Sequence, residues 1–210
     1  ISNAWLENED TLADPRHIEG GELRRFDRIL TNPPFSINWG HTEKNADGSL
    51  AWNPTFREER FRFGEVPLGS KKADLMFLQH MLAVTRDEGM VATVLPHGVL
   101  FRGGEEKAIR AGIIEADLLE AVIGLPANLF YGTGIPACII VLDKEGSAGR
   151  KGLFLIDASK GFIKDGNKNR LRSQDLHKIV DTFNKQIEID RYSRMVPISE
   201  IADPKNDYNL

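Results

Sequence analysis

Asp27-Arg28-Ile29-Leu30-Thr31-Asn32-Pro33-Pro34-Phe35 decides how the rest of the chain is read: a short apolar run stops at an asparagine, two prolines and an aromatic. Each proline fixes φ near −65° and lacks an N–H, so the backbone after Asn32 can neither continue a central strand nor begin an ordinary hydrogen-bonded turn. The chain must leave the sheet there, at the carboxyl end of a strand spanning 26–32, which in open α/β sheets is the end where ligands bind. A backbone with few donors leaves carbonyl oxygens free, the Asn32 side chain adds an acceptor, and Phe35 adds a flat face. Such a site suits a planar group bearing an amine. A plain strand terminator with a core phenylalanine is the competing reading of the same residues.

Outward from this loop, 210 residues suffice for one domain with a substantial core, or one domain plus an appendage. Hydrophobic content of 41% and charged content of 28% are those of an ordinary globular protein. No apolar run reaches the ~20 residues that a bilayer span requires, and no basic-then-apolar leader opens the chain, so no membrane partner and a cytoplasmic location are expected. Five histidines and one cysteine give no metal-ligand spacing. Cys138, inside the run Ala137-Cys138-Ile139-Ile140-Val141-Leu142, reads as a buried structural thiol. With 27 basic and 31 acidic side chains the net charge is −4, so the basic excess of a stand-alone nucleic-acid binder is missing. A DNA substrate would then require a local patch or a second subunit for its phosphates.

Residues 36–72 show little periodicity, many turn formers and five aromatics, Trp39, Trp52, Phe56, Phe61 and Phe63. A segment this long is either functional or packed on its own aromatics. The spacing of Leu75, Met76, Leu78, Met81, Leu82 and Thr85 predicts a helix over 73–86, ended by Gly89. A buried strand follows over 90–95, a short helix from Gly103-Gly104 to about 116, and two strands over 118–125 and 137–142 that fit a hairpin. After a polar connection, residues 153–157 read as a strand. Ser173 is placed to cap a helix over 174–189 whose apolar face is Leu176, Ile179, Val180, Phe183 and Ile187.

Asn32-Pro33-Pro34-Phe35 after Phe26-Asp27-Arg28-Ile29-Leu30-Thr31 resembles the motif of amino-group DNA methyltransferases that use S-adenosylmethionine. More of the chain is similar to the M subunit of type I restriction-modification systems, an N6-adenine DNA methyltransferase. The resemblance implies an α/β fold, a Rossmann-like methyltransferase sheet with flanking helices, truncated in its N-terminal half. Residues 1–145 would be the C-terminal half of the catalytic domain, and 146–210 a strand-plus-helix extension toward a C-terminal helical region. No glycine-rich turn precedes Asp10, which the family places upstream, so a fragment beginning in mid-domain is expected, with the strand ending at Asn32 left as a sheet edge open to self-association.

The resemblance also assigns residues. Asn32, Pro33, Pro34 and Phe35 would be catalytic. Asp10, in an acidic segment ending Asp10-Thr11-Leu12, would help hold the cofactor's adenine, with Asp74 and Phe77 from the Ala73-Asp74-Leu75-Met76-Phe77-Leu78-Gln79-His80 element on the same pocket. Phe130 with its neighbour Tyr131 would face the flipped base, and Arg62, in Arg62-Phe63-Gly64, resembles an arginine-aromatic element of M subunits expected near the substrate. Each has a plainer reading: an exposed acidic turn for Asp10, dipole compensation at a helix start for Asp74, core packing for Phe130 and a solvated loop for Arg62. The implied partners are DNA and the specificity and restriction subunits of a type I complex. Other substrates of an Asn-Pro-Pro-aromatic methyltransferase, RNA or protein glutamine, stay open, as does a non-enzymatic assembly module.

Overall fold

The structure is a computed structural model and describes residues 4–40, 44–49 and 51–210, with the side chain of residue 148 left aside. A small hairpin of β1 (Ile18–Glu19) and β2 (Glu22–Leu23) leads into β3 (Phe26–Thr31). The following segment contains a short helix, α1 (Arg57–Arg60), and ends at α2 (Asp74–Ala83), which feeds β4 (Thr85–Pro96). A 3₁₀ turn at His97–Leu100 and α3 (Glu105–Glu115) precede β5 (Leu119–Gly124), β6 (Ala137–Asp143) and β7 (Leu153–Asp157). A hairpin of β8 (Ile163–Asp165) and β9 (Lys168–Arg170), then α4 (Ser173–Lys185), β10 (Ser193–Val196) and α5 (Ile198–Ile201), complete the fold.

Six strands form one mixed sheet in the order β10-β7-β5-β6-β4-β3. β3 runs parallel to β4, with Ile29, Leu30 and Thr31 opposite Val91, Ala92 and Thr93, and it lies at the sheet edge as expected. β6 is antiparallel to both β4 and β5, the expected hairpin, while β7 is parallel to β5 and carries β10 antiparallel on its far side. Residues on both sides of position 145 therefore share one sheet.

Period-2 alternation divides the core between the two faces of that sheet. Val122, Ile140 and Leu142 pack with Leu75, Leu78 and Met81 of α2 and Ile109 and Ile113 of α3; Ala121, Ile123 and Val141 pack on the other face with Phe154, Ile156 and Ile179 of α4. Cys138 is fully buried, and burial pushes its thiol up to about 12, where it is inert. The segment after the Pro-Pro loop packs on its own aromatics: Trp39 is wholly buried and meets Trp52 and Phe61 edge-on at 5.1 and 4.8 Å.

Two helices differ from expectation. α2 ends at Ala83, not at 86, because Val84 and Thr85 turn directly into β4: the Val84 carbonyl accepts the Phe26 N–H, and the Thr85 hydroxyl bonds back to the Met81 carbonyl. Gly89 does not end a helix; it lies within β4, where an added Cβ would stand 2.5 Å from Thr85 Cγ2 and 2.9 Å from the Arg86 carbonyl. α4 starts one residue early. Its cap is Arg172, whose N–H and guanidinium are both held by Asp175, and it stops at Lys185 before Gln186 takes a left-handed φ of 47°. Only part of its expected apolar face is covered, Ile179 being buried while Leu176, Val180 and Ile187 are about half exposed.

Candidate active site

β3 delivers its last side chain, Thr31, into a hydrogen bond with the buried Thr93 of β4 at 2.7 Å, which fixes the point where the strand stops. Beyond it Asn32 is exposed, and among the described residues nothing hydrogen-bonds to its amide or to the Pro33 carbonyl. The two prolines have no N–H to give, so the loop presents acceptors to solvent. Its far end is anchored. Ser36 takes a left-handed φ of 53°, and its N–H donates to Asp74 Oδ1 at 2.8 Å.

Asp74 is 1% exposed, and its other oxygen meets Arg102 Nη2 at 3.2 Å. Arg102 in turn faces Glu106 at 3.3 Å, which Lys72 approaches at 3.5 Å. Burial raises Glu106 from the ordinary glutamate value, against the pull of Arg102 and Lys72. The Asp74 carboxylate, read from the sequence as facing the cofactor, is thus engaged in holding the residue after Phe35.

Between β3 and α2 lies a cleft of about 570 Å³, walled by Ile29, Asn32 and Pro33 on one side, Phe77, His80 and Met81 on another, and closed by Glu9 and Thr11. Phe77, which the resemblance assigns to the cofactor pocket, lies on the wall of this cleft. Asp10 does not line it. Its Oδ1 accepts the N–H groups of Leu12 at 3.1 Å and Ala13 at 3.0 Å, so it shapes the turn that brings Glu9 and Thr11 to the rim.

That turn is tied down by a residue sequence reasoning passed over. Arg60, 1% exposed, donates to the carbonyls of Thr11 at 2.8 Å, Leu12 at 2.6 Å and Thr55 at 3.0 Å, and lies 3.3 Å from His80 Nδ1. Burial lowers the guanidinium to about 10, so it stays charged at neutral pH. Burial first, and the Arg60 charge second, pull His80 down to about 3, leaving a neutral imidazole whose Nδ1 accepts from Arg60. The available signal was His80 itself, the last residue of the Ala-Asp-x-x-Phe-x-x-His element. Arg60 was masked by the flanking Glu58 and Glu59, which made its segment read as a solvated loop.

Phe130, from the loop between β5 and β6, reaches Phe35 edge-on, with ring centroids 6.2 Å apart and planes at 72°. The two aromatics assigned to the base are therefore neighbours. Tyr131 is not part of this pair; it is 94% exposed at the loop tip. Arg62 lies at the other end of the sheet. Its guanidinium stacks on Phe63 and shares a small pocket with Arg25 and Lys144, and Lys144 bonds to the Thr85 carbonyl where β4 begins, whereas Asn32 follows the end of β3 parallel to it. Among the described residues no group of three or more acidic, histidine or cysteine side chains could hold a metal ion, and no helix is long and apolar enough to cross a membrane.

With this geometry in place, the comparison with known families is decisive: the model of the family described as N-6 DNA Methylase matches residues 2–210. The chain belongs to the N-6 DNA methylase family. Among curated relatives of this N-6 DNA methylase chain, the type I restriction enzyme MpnII methylase subunit of Mycoplasma pneumoniae is 32% identical over all of the chain and 38% of the relative's own length. The MjaVII methylase subunit of Methanocaldococcus jannaschii is 39% identical over 96% of the chain and 33% of its own length. In three dimensions the type I restriction-modification methyltransferase subunit of Streptococcus thermophilus superposes with a TM-score of 0.81 at 37% identity, covering all of this chain and 41% of that one. The mixed sheet with flanking helices is the methyltransferase fold of that subunit, and this N-6 DNA methylase chain spans roughly two fifths or less of the length of each of these relatives.

Proposed function

We propose that this chain forms the base-facing part of the catalytic core of a type I modification methyltransferase, which transfers a methyl group to the N6 amine of adenine in DNA. The observation that carries the reading is the juxtaposition of two acceptors unengaged among the described residues, the Asn32 amide and the Pro33 carbonyl, with the rings of Phe35 and Phe130. The names of the relatives, all methylase or methyltransferase subunits of type I systems, support the same reading.

An adenine inside a duplex hides its amine, so it must be extruded and stacked before it can react. Its exocyclic nitrogen is a weak nucleophile because the lone pair is delocalised into the ring. Asn32 Oδ1 and the Pro33 carbonyl, each accepting one N–H of the amine, favour a tetrahedral nitrogen whose lone pair is directed out of the ring plane. Phe35 and Phe130 hold the ring, and positioning supplies most of the rate.

The cleft beside Asn32 suits S-adenosylmethionine by its chemistry: Phe77 and Ile29 offer apolar surface for an adenosine ring, and the Glu9 carboxylate, steadied by the Thr11 hydroxyl at 3.1 Å and the Arg16 N–H, keeps further lone pairs for its polar or cationic groups. When bound, the sulfonium cofactor supplies an already activated methyl group. Glu9, Thr11 and Phe77 would hold it, with Asp10 and Arg60 acting behind Glu9 and Thr11 through the turn that carries them.

DNA and the specificity and restriction subunits of a type I complex are the partners this reading implies; with a net charge of −4, much of the phosphate contact falls to those subunits. Self-association through the open edge of β3 also belongs to it, and a single monomeric mass by light scattering removes that part. The central test is methyl incorporation by the full-length subunit with its specificity partner into duplex DNA, RNA and protein. Adenine in DNA is the expected acceptor, and Asn32→Ala is expected to lower turnover by about a hundredfold or more while DNA binding persists. Turnover retained in that variant, or methyl appearing in RNA or glutamine instead, overturns the assignment.

A further inference from the structure

The loop between β5 and β6 that carries Phe130 makes few hydrogen bonds of its own. Asn128 and Gly132 both take left-handed φ values, 58° and 79°, and within residues 127–133 the carbonyls of Ala127, Asn128, Phe130 and Thr133 all turn toward one place. That place is the β8–β9 hairpin. Asn169 Nδ2 donates to the Ala127 carbonyl at 2.6 Å, and the Asn169 N–H donates to Asn128 at 2.9 Å. Lys168 Nζ donates to the carbonyls of Phe130 at 2.7 Å and Thr133 at 3.0 Å.

We infer that Lys168 and Asn169 are positioning residues that hold Phe130 against Phe35 and so set the aromatic wall of the base pocket; this rests on the methyltransferase reading above. One ammonium bridging two carbonyls three residues apart fixes the curvature of the loop tip, and charge-assisted bonds of this kind are about twice as strong as neutral ones. Asn169, 7% exposed, fixes the start of the loop from the same side. The hairpin's own cross-strand pair, Arg170 with Asp165, is exposed and adds little, so the hairpin and the loop steady each other. Neither residue touches the reacting atoms. Both act through the backbone that aims the Phe130 ring.

The test uses the full-length subunit with its specificity partner, in the variants Lys168→Met, Lys168→Arg and Asn169→Asp. Amide hydrogen exchange reports loop order without reference to activity, and methyl incorporation into DNA is measured in parallel. In Lys168→Met, exchange of the Asn169 amide, whose N–H donates to the Asn128 carbonyl, is expected to rise about tenfold with β3 and β4 unchanged, and kcat to fall about tenfold or more while KM for S-adenosylmethionine stays within about twofold. Lys168→Arg, which keeps donors for both carbonyls, restores exchange and kcat. Asn169→Asp, which sets an oxygen against the Ala127 carbonyl, behaves as Lys168→Met does. Unchanged exchange in Lys168→Met overturns the clamp, and faster exchange with wild-type kcat overturns its role in positioning. If the wild-type subunit itself methylates no adenine, the functional reading fails alone, and the exchange result still decides whether the hairpin orders the loop.

Discussion

Phe35 and Phe130, one at the end of the Pro-Pro loop and the other in the loop joining β5 to β6, meet edge to face with centroids 6.2 Å apart. Aromatic pairs in this geometry contribute ~0.5–1.5 kcal/mol beyond area burial. A double-mutant cycle of Phe35→Leu and Phe130→Leu, followed by urea denaturation, is expected to return a coupling energy of about that size. Strictly additive losses would show that the rings are neighbours without being partners.

Arg60 joins the turn at Thr11 and Leu12 to the wall of α2. Arg60→Met keeps most of the buried stem and leaves the carbonyls without their donor, so a stability loss of roughly 2–4 kcal/mol is expected in denaturant titrations. Cofactor affinity, followed by calorimetry on the full-length subunit, falls with it because Glu9 and Thr11 lose their support.

Asp74 separates two roles that the sequence could not. Asp74→Asn keeps an oxygen for the Ser36 N–H but gives up the charge facing Arg102, for an expected loss of about 1 kcal/mol; Asp74→Ala gives up both, for about 3 kcal/mol. Methyl transfer by the full-length subunit is expected to survive the first change and fail in the second, since only the second releases the loop behind Phe35.

His80 makes the fold sensitive to acid. Its pKa is about 3 in the folded protein against 6.5 for a free imidazole, so its contribution is complete above pH 6.5 and is lost as pH falls from 6.5 toward 3. The slope is at most ~1.4 kcal/mol per pH unit for one proton. Between pH 6.5 and 5, above the normal carboxylate range, urea midpoints of the wild type are expected to decline, and those of His80→Gln, which retains an acceptor for Arg60, to stay flatter.

How far the sequence was readable follows from what each signal depends on. The end of β3 was plain because two consecutive prolines remove donors wherever they occur, and the strands over 137–142 and 153–157 were plain because short, nearly unbroken apolar runs between polar turns fit a buried strand. The start of β4 was hidden: Thr85 to Gly89 is polar and aperiodic, and only its pairing with Phe26 makes it part of the sheet. The β8–β9 hairpin was hidden for the same reason, its strands being Ile163-Lys164-Asp165 and Lys168-Asn169-Arg170 with no alternation to read. Phe77 was singled out only by the resemblance of residues 73–80 to the family's element, since the helical spacing there runs through its neighbours and leaves it out. Asp74 was recognised as notable, yet its partners Ser36 and Arg102 come from segments distant in sequence, while Asp10 turns to its own neighbours Leu12 and Ala13 and Arg62 to Phe63, and no local pattern announces which backbone group or which end of the sheet a side chain will reach.

The parallel pairing of β3 with β4 bears on when the site comes into being. Antiparallel β5 and β6 need close only the loop at 125–136, whereas β3 can dock on β4 only after the whole of residues 32–84 has been gathered in, an entropic cost met before any contact is gained. The acceptor loop after Asn32 is therefore assembled late in folding, on a sheet and an α2 helix that already exist. Substitutions at Ile29 or Thr31 should accelerate unfolding with little effect on the refolding rate, while those at Val122 or Ile140 slow refolding.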